Sequence, residues 1–212
     1  MNPKIKEILE WLYCIIIAVV LALLFRYFIG TPTIVQQVSM KPTLEQDQRL
    51  WLNRWSRTTK TLPKKGEIIT FEAPSKKSFT SSEIDMNNPV AVYDNEPTNI
   101  FGKFTKYILE IGKESYIKRV IALPGEHVEI KEGKVFINGE KLDEPYLQDG
   151  VVTDVTGTGF SDFTVPENTV FAMGDNRTHS TDCRTFGCIP LEKIESTVAI
   201  RIWPLDKWGK VD

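Results

Sequence analysis

Val135-Phe136-Ile137-Asn138-Gly139-Glu140-Lys141-Leu142 reads as a β-hairpin. A two-residue type I′ turn needs positive φ at both central positions, and Asn-Gly adopts that backbone with least strain. The flanking chain repeats the same punctuation, with short apolar runs bounded by turn residues. Leu50–Trp55, Glu67–Phe71, Lys118–Ala122, Val128–Lys131, Thr169–Met173 and Val198–Trp203 read as further strands. Residues 33–212 are therefore expected to be mostly β, with non-local pairing around one core. No internal repeat is visible.

Ala73–Asn99 breaks the pattern. It is rich in Ser, Lys, Asn, Asp and Pro and reads as an inserted surface loop. Phe101–Gly112 follows with helical spacing, Phe101, Phe104, Ile108, Leu109 and Ile111 against Lys103, Lys106 and Glu110. It is expected to pack on the core; the alternative is an amphipathic helix lying on a membrane surface. Residues 73–112 thus form one insertion in the β domain.

Ahead of the β region, Trp11–Phe25 is uninterrupted apolar sequence. The 19 residues Trp11–Ile29 make a helix of about 28 Å at about 1.5 Å per residue, close to a hydrocarbon core of about 30 Å. Arg26 is near enough to one end to snorkel, and Trp11, Tyr27 and Phe28 fall near the two interfaces. A cleaved leader would end in small residues, and Arg26-Tyr27-Phe28-Ile29 is the wrong flank. A buried core helix is seldom apolar all round. The expected organisation is a cytoplasmic tail over 1–10, a single transmembrane anchor over 11–29, and an extracytoplasmic domain over 30–212 in the cell membrane. Lys4 and Lys6 keep the short tail inside, although Arg26 on the far side weakens that bias.

Composition narrows the chemistry. The chain has 212 residues and a net charge of -2, which suits one domain plus an appendage and gives no basic face for nucleic acid. Only two histidines, His127 and His179, and three cysteines, Cys14, Cys183 and Cys188, are present, with no clustered spacing for a metal. No metal or other cofactor is expected. Cys183 and Cys188 read either as a small-loop disulfide or as two free thiols, and Cys14 as an inert residue of the apolar segment.

Two polar residues stand out against this background. Ser39, in Val38-Ser39-Met40-Lys41-Pro42-Thr43, follows the anchor. Lys118 lies in Tyr116-Ile117-Lys118-Arg119-Val120-Ile121-Ala122-Leu123-Pro124-Gly125. A serine hydroxyl needs a base, and neither histidine accompanies a nucleophile motif of the G-x-S-x-G kind. A lysine serves if it is neutral, yet a free lysine is deprotonated in only roughly one molecule in 2,500 at pH 7. Burial among apolar neighbours removes that obstacle. Strand alternation puts Lys118 on one face with Val120 and Ala122, and Arg119 on the other, towards solvent. On pattern alone Lys118 reads as an exposed lysine at a sheet edge, and Ser39 as a turn residue before Pro42. The S-x-x-K arrangement is absent, so a lysine base would come from elsewhere in the fold. A third cluster, Gly174-Asp175-Asn176-Arg177-Thr178-His179-Ser180-Thr181-Asp182-Cys183-Arg184-Thr185-Phe186-Gly187, reads as a hydrogen-bonded turn. Asp182 with Arg184, or Asp175 with Arg184, would tie it together.

Together these segments resemble the type I signal peptidases, membrane-anchored serine endopeptidases that work with a Ser/Lys dyad. The resemblance spans nearly the whole chain in order. It comprises the anchor, Ser39-Met40-Lys41-Pro42-Thr43-Leu44, Lys65-Gly66-Glu67-Ile68-Ile69, the run from Lys118-Arg119-Val120 to Pro124-Gly125-Glu126, and Gly174-Asp175-Asn176-Arg177 through Ser180, Asp182, Arg184 and Gly187. It implies a mostly β fold: an antiparallel β catalytic domain behind one N-terminal transmembrane helix, with an apolar surface near the membrane; Trp203 and Trp208 either contribute to that surface or pack in the core. It implies Ser39 as nucleophile, Lys118 as general base, Ser180 as the group that orients the lysine amine, Asp182 and Arg184 as a structural ion pair, and Asp175 as a supporting carboxylate. Small residues at the first and third positions before the cut would sit in shallow pockets, for which Val35, Leu44, Tyr116 and Ile117 are candidate walls. Secretory preproteins carrying signal peptides and the lipid bilayer are the implied partners, with the secretion translocon a further candidate.

The chain departs from the family pattern in several places. Val38 precedes the nucleophile where many relatives have a small residue. Gln37 stands where some place serine or glycine, so it is the candidate second donor of an oxyanion hole beside the Ser39 N–H. Glu67 and Glu126 replace common aspartates, and His179 often corresponds to asparagine. Two alternatives follow: a tethered binding or assembly module that has lost turnover, or a Ser/Lys peptidase devoted to one substrate. A self-cleaving transcriptional repressor would share the Ser/Lys logic but carry a DNA-binding domain in place of the anchor.

Overall fold

The computed structural model describes residues 3–80, 82–94, 96–155 and 159–211. Helix α1 spans Pro3–Phe28 and leads directly into β1 (Gly30–Ile34). There follow β2 (Arg49–Asn53), the short α2 (Trp55–Thr59), β3 (Ile68–Glu72), α3 (Ile100–Tyr107), β4 (Ser115–Ala122), β5 (His127–Lys131), β6 (Lys134–Ile137) and β7 (Glu140–Lys141). The chain ends with β8 (Asp162–Thr164), β9 (Thr169–Met173), the one-turn α4 (Cys183–Phe186), β10 (Ile189–Pro190) and β11 (Ile194–Trp203).

All the strand pairs are antiparallel. One sheet has seven strands in the order β1-β2-β11-β3-β4-β9-β10, and a second has four in the order β7-β6-β5-β8. The Asn138-Gly139 turn joins β6 to β7 with φ of 53° and 83°, as its type requires. β1 contains Pro32, which lacks an N–H for a ladder; β1 is an edge strand, the place in a sheet where proline is tolerated.

The main core joins the two sheets through Phe71, Tyr116, Phe160, Phe163, Phe171 and Phe186. A smaller cluster of Val35, Met40, Leu44, Leu50, Leu52 and Ile68 lies under the segment that follows β1. Cys183 and Cys188 are free thiols, both buried, and the Ala172 N–H donates to Cys183 Sγ at 3.2 Å. Burial raises the pKa of both thiols and keeps them protonated.

α1 is longer than the apolar run and takes in most of the expected tail. It has no buried residue and is long and apolar enough to cross a membrane. At about 39 Å by helical rise, it exceeds a hydrocarbon core of about 30 Å by a little under two turns, which its polar N-terminal flank accounts for. Cys14 faces outward on it.

Two expectations are corrected. α3 does not pack its apolar face on the core: Ile100 and Phe101 are 88% and 76% exposed, and Phe104 and Ile111 are exposed too. Its polar side docks instead, with Lys106 on Glu72 at 2.6 Å and, just beyond, Lys113 on Glu195 at 2.5 Å. Arg119 does not point to solvent; it is 3% exposed. β4 lies between β3 and β9 with both faces covered along this stretch, so alternation fails to separate inside from outside.

Candidate active site

The segment after β1 is pinned before it turns. Val35 N–H donates to Gln48 O, and Asp47 N–H to Val35 O, each at 2.9 Å. Met40 and Leu44 then drop side chains into the smaller core cluster, both fully buried. Ser39 is held between these fixtures, 5% exposed at the floor of a cleft.

β4 brings Lys118 to the same point. Its Nζ lies 2.8 Å from Ser39 Oγ and donates to Ile117 O at 3.0 Å. The amine also sits 5.3 Å from the centre of the Tyr116 ring. Lys118 is 1% exposed. Burial is the main influence on its pKa, lowering it from 10.5 to about 8 against the opposing pull of Asp182. The exposed-lysine reading of the pattern is thereby excluded.

The loop of residues 174–187 forms the third wall. Asn176 donates its backbone N–H to Ser39 O at 3.0 Å and its Nδ2 to Val38 O at 3.1 Å. Gly174 is required by proximity: a Cβ there would lie 2.4 Å from Ser39 O and 2.2 Å from Ser180 Oγ. Asp182 accepts from Gly174 N–H at 3.0 Å and from Arg184 Nε and Nη2, both at 2.9 Å. Burial pushes the Asp182 pKa up, and the Arg184 bonds more than reverse it, holding the carboxyl below its usual value. Of the two pairings open in the sequence, Arg184 takes Asp182. Asp175 pairs with Arg119, whose Nη2 and Nε donate to it at 2.8 and 3.0 Å. Asp175 also accepts from Thr43 Oγ1 at 2.5 Å, which joins the serine turn to this loop.

Ser180 Oγ is buried beside Ser39 and Lys118, without a close hydrogen-bond partner among the described residues, and its dipole adds to the forces that keep the Asp182 carboxyl ionised. Lys118 therefore reaches Ser39 and Ile117 O but not Ser180 in this arrangement. Gln37 is exposed and lines the cleft. The Ser39 backbone N–H meets no acceptor among the described residues.

Two cavities adjoin at Gln36, Gln37 and Tyr116. One, of about 390 Å³, holds Ser39 and Lys118 with Gln36, Gln37, Tyr116, His179 and Thr181. The other, of about 350 Å³, shares Gln36, Gln37 and Tyr116 and runs past Val35 and Ile117 to Arg26 at the end of α1. Leu44 lines neither and supports the site from the core. Sequence reasoning missed Arg119, Thr43 and Asn176. Asn176 lies in the polar run that begins at Gly174; nothing in the alternation pattern marked Arg119.

A family model described as signal peptidase, peptidase S26, matches residues 8–203. Signal peptidase I S of Bacillus subtilis (strain 168) is 35% identical, over 99% of this chain and 96% of its own length. Signal peptidase I of Bacillus licheniformis is 32% identical over the same shares, 99% and 96%. Probable signal peptidase I-1 of Synechocystis sp. (strain ATCC 27184 / PCC 6803 / Kazusa) is 32% identical, over 93% of this chain and 83% of its own length.

Proposed function

This chain belongs to the signal peptidase family, peptidase S26, and from that premise we propose that Ser39 is its nucleophile and Lys118 its general base. The protein is a serine endopeptidase that removes N-terminal signal peptides from preproteins. The observation that carries the residue assignment is the 2.8 Å approach of Lys118 Nζ to Ser39 Oγ in a buried pocket. With the amine neutral, the serine O–H donates to its lone pair. Lys118 takes that proton as Oγ attacks the scissile carbonyl, and the resulting ammonium gives a proton to the leaving amine. The released amine and an acyl-enzyme ester result. Lys118, neutral again, takes a proton from water as it attacks the ester, and returns one to Ser39 as the acid leaves.

The developing oxyanion would be met by the Ser39 N–H, with the Gln37 amide as second donor. Ser180 would orient the amine through a rotation of its unengaged hydroxyl. Val35, Tyr116 and Ile117 would wall the pockets for small residues before the cut. Their place in the cavity that leads to the anchor supports this reading.

The domain organisation is a short tail over 1–10, an anchor over 11–29 and a peptidase domain over 30–212. α1 fits single-pass anchoring. The tail faces the cytoplasm and the catalytic domain lies outside it, in the plane where the translocon delivers preproteins. The exposed Ile100, Phe101, Trp203, Leu205 and Trp208 suit contact with lipid beside the anchor.

The test uses the purified full-length enzyme and a model preprotein in detergent. Ser39→Ala and Lys118→Ala each retain a folded spectrum and lose cleavage by at least about a thousandfold. Cleavage by either variant at the wild-type rate removes the dyad assignment.

A further inference from the structure

A single helix joined to a domain through one peptide unit would swivel, yet the end of α1 is gripped at several points. The Arg54 N–H donates to Ile29 O at 3.1 Å, and Arg54 Nη1 to Arg26 O at 3.4 Å, so one residue takes two carbonyls from the helix end. Arg54 is only 4% exposed. Phe25 packs on Trp51 with ring centroids 6.4 Å apart, and the Arg57 guanidinium lies 4.5 Å over Tyr27.

The central bond of this junction comes from the insertion. Glu110, in the turn after α3, offers one carboxylate oxygen to Arg26 of α1 and the other to Arg54. Its backbone is left-handed, with φ of 58°, a conformation that a non-glycine residue seldom keeps without support from its surroundings. Burial works against its charge, and the two arginines overcome that and hold the carboxyl below its usual pKa. All three side chains line the cavity that begins at Gln37, Tyr116 and Ile117, next to the dyad.

We propose that Glu110 is a positioning residue of the membrane-bound reaction: by clasping Arg26 to Arg54 it sets the angle between the anchor and the substrate groove. The inference rests on the peptidase reading and assigns the insertion a task in it. The preprotein is held in the same bilayer by its own apolar segment. Its chain can enter the groove only if the groove mouth faces the membrane at a suitable height and angle. The clasp stands at the membrane end of the groove, and the dyad's own bonds, to Ser39, Ile117 and the loop of 174–187, do not involve it. Loosening it therefore affects productive binding and leaves the chemical step alone.

The experiment uses full-length enzyme in vesicles of phosphatidylcholine and phosphatidylglycerol, with a preprotein inserted in the same vesicles. Glu110→Gln and Arg26→Gln each raise KM about tenfold, an effect of lost effective concentration, with kcat within about twofold of wild type. Glu110→Asp and Arg26→Lys, which keep the charges, restore KM to within about threefold of wild type. A wild-type KM in both glutamine variants overturns the proposal. So does a fall in kcat at unchanged KM, or a failure of both conservative variants to restore KM. If Glu110→Gln misfolds, Arg26→Gln decides alone, because it leaves the Arg54–Glu110 pair in place. Failure of the parent reading would look different: the wild-type enzyme would not cleave, or Ser39→Ala would.

Discussion

Lys118 is held where its charge is least welcome. At a pKa of about 8, roughly one amine in ten is neutral at pH 7, against one in thousands for a free lysine. The expected kcat/KM rises about tenfold per pH unit below 8 and levels off above it, which a pH–rate profile on a short peptide would check. The same burial costs stability. The folded pKa lies below the unfolded value of 10.5, so between about 8 and 10.5 the unfolded chain binds more protons and stability rises with pH. Below that window the fold carries the full penalty, about 3 kcal/mol at about 1.4 kcal/mol per pH unit. Lys118→Met should thus be inactive and yet more stable than wild type at pH 7, by about 2 kcal/mol, with the gain vanishing above pH 10.5. Denaturant unfolding of both proteins across pH measures it; a Met variant less stable than wild type at pH 7 would refute the argument. A second residue follows from close approach. Gly174→Ala puts a methyl against Ser39 O and Ser180 Oγ, and kcat is expected to fall at least about a hundredfold while the fold survives. The approach of Lys118 to Ser39 was legible in the sequence because motif order set aside the exposed-lysine reading. Arg119 was not, since a strand covered on both faces carries no period-two signature.

The elements around the site are joined by buried ion pairs as well as by apolar contact. Arg119 on β4 faces Asp175 on the loop after β9, and Asp175 holds Thr43 on the serine turn. Three stretches far apart in the sequence thus meet on one carboxylate. Asp175→Ala removes the carboxylate that faces a guanidinium nearly closed to water. The expected loss is about 3–5 kcal/mol, with reduced kcat from a loosened Ser39 turn. Asp175→Ala combined with Arg119→Leu should recover at least about half of that loss, because the buried charge has gone with its partner. Thermal unfolding of the two single variants and the double variant closes the cycle, and strict additivity would sink the account. Local pattern served some elements well. Asn138-Gly139 specified its turn outright, and Thr169–Met173 is a strand at the expected bounds. It failed for α3, whose Phe101 and Phe104 face outward while Lys106 and, just beyond the helix, Lys113 find buried carboxylates on β3 and β11. Spacing reveals that a helix has two faces, and it does not reveal which face meets the protein. β1 was hidden by Pro32, which argues against a strand until the strand is known to lie at an edge.

At the scale of the molecule, the chain is a mostly antiparallel β domain behind one long apolar helix; punctuation and composition foretold the β character and the helix, and the family resemblance implied the antiparallel pairing. The continuity between helix and site was not foretold, because it depends on a groove shared by segments as distant as Arg26, Gln37, Glu110 and Tyr116. That continuity bears on kinetics. Enzyme and preprotein anchored in one bilayer meet by diffusion in two dimensions, so the relevant concentration is molecules per lipid and not molecules per volume. Cleavage of a membrane-inserted preprotein should then be unchanged when a vesicle suspension is diluted about tenfold with buffer, since each vesicle keeps its own contents. In detergent micelles, which separate the partners, the same dilution should slow the initial rate on a per-enzyme basis nearly in proportion when substrate is well below KM. A short soluble peptide should respond to dilution equally in the two preparations, because it has no anchor to confine it. Were the inserted preprotein to slow with dilution in vesicles as it does in micelles, α1 would be serving only as a tether, with no kinetic advantage from the shared plane.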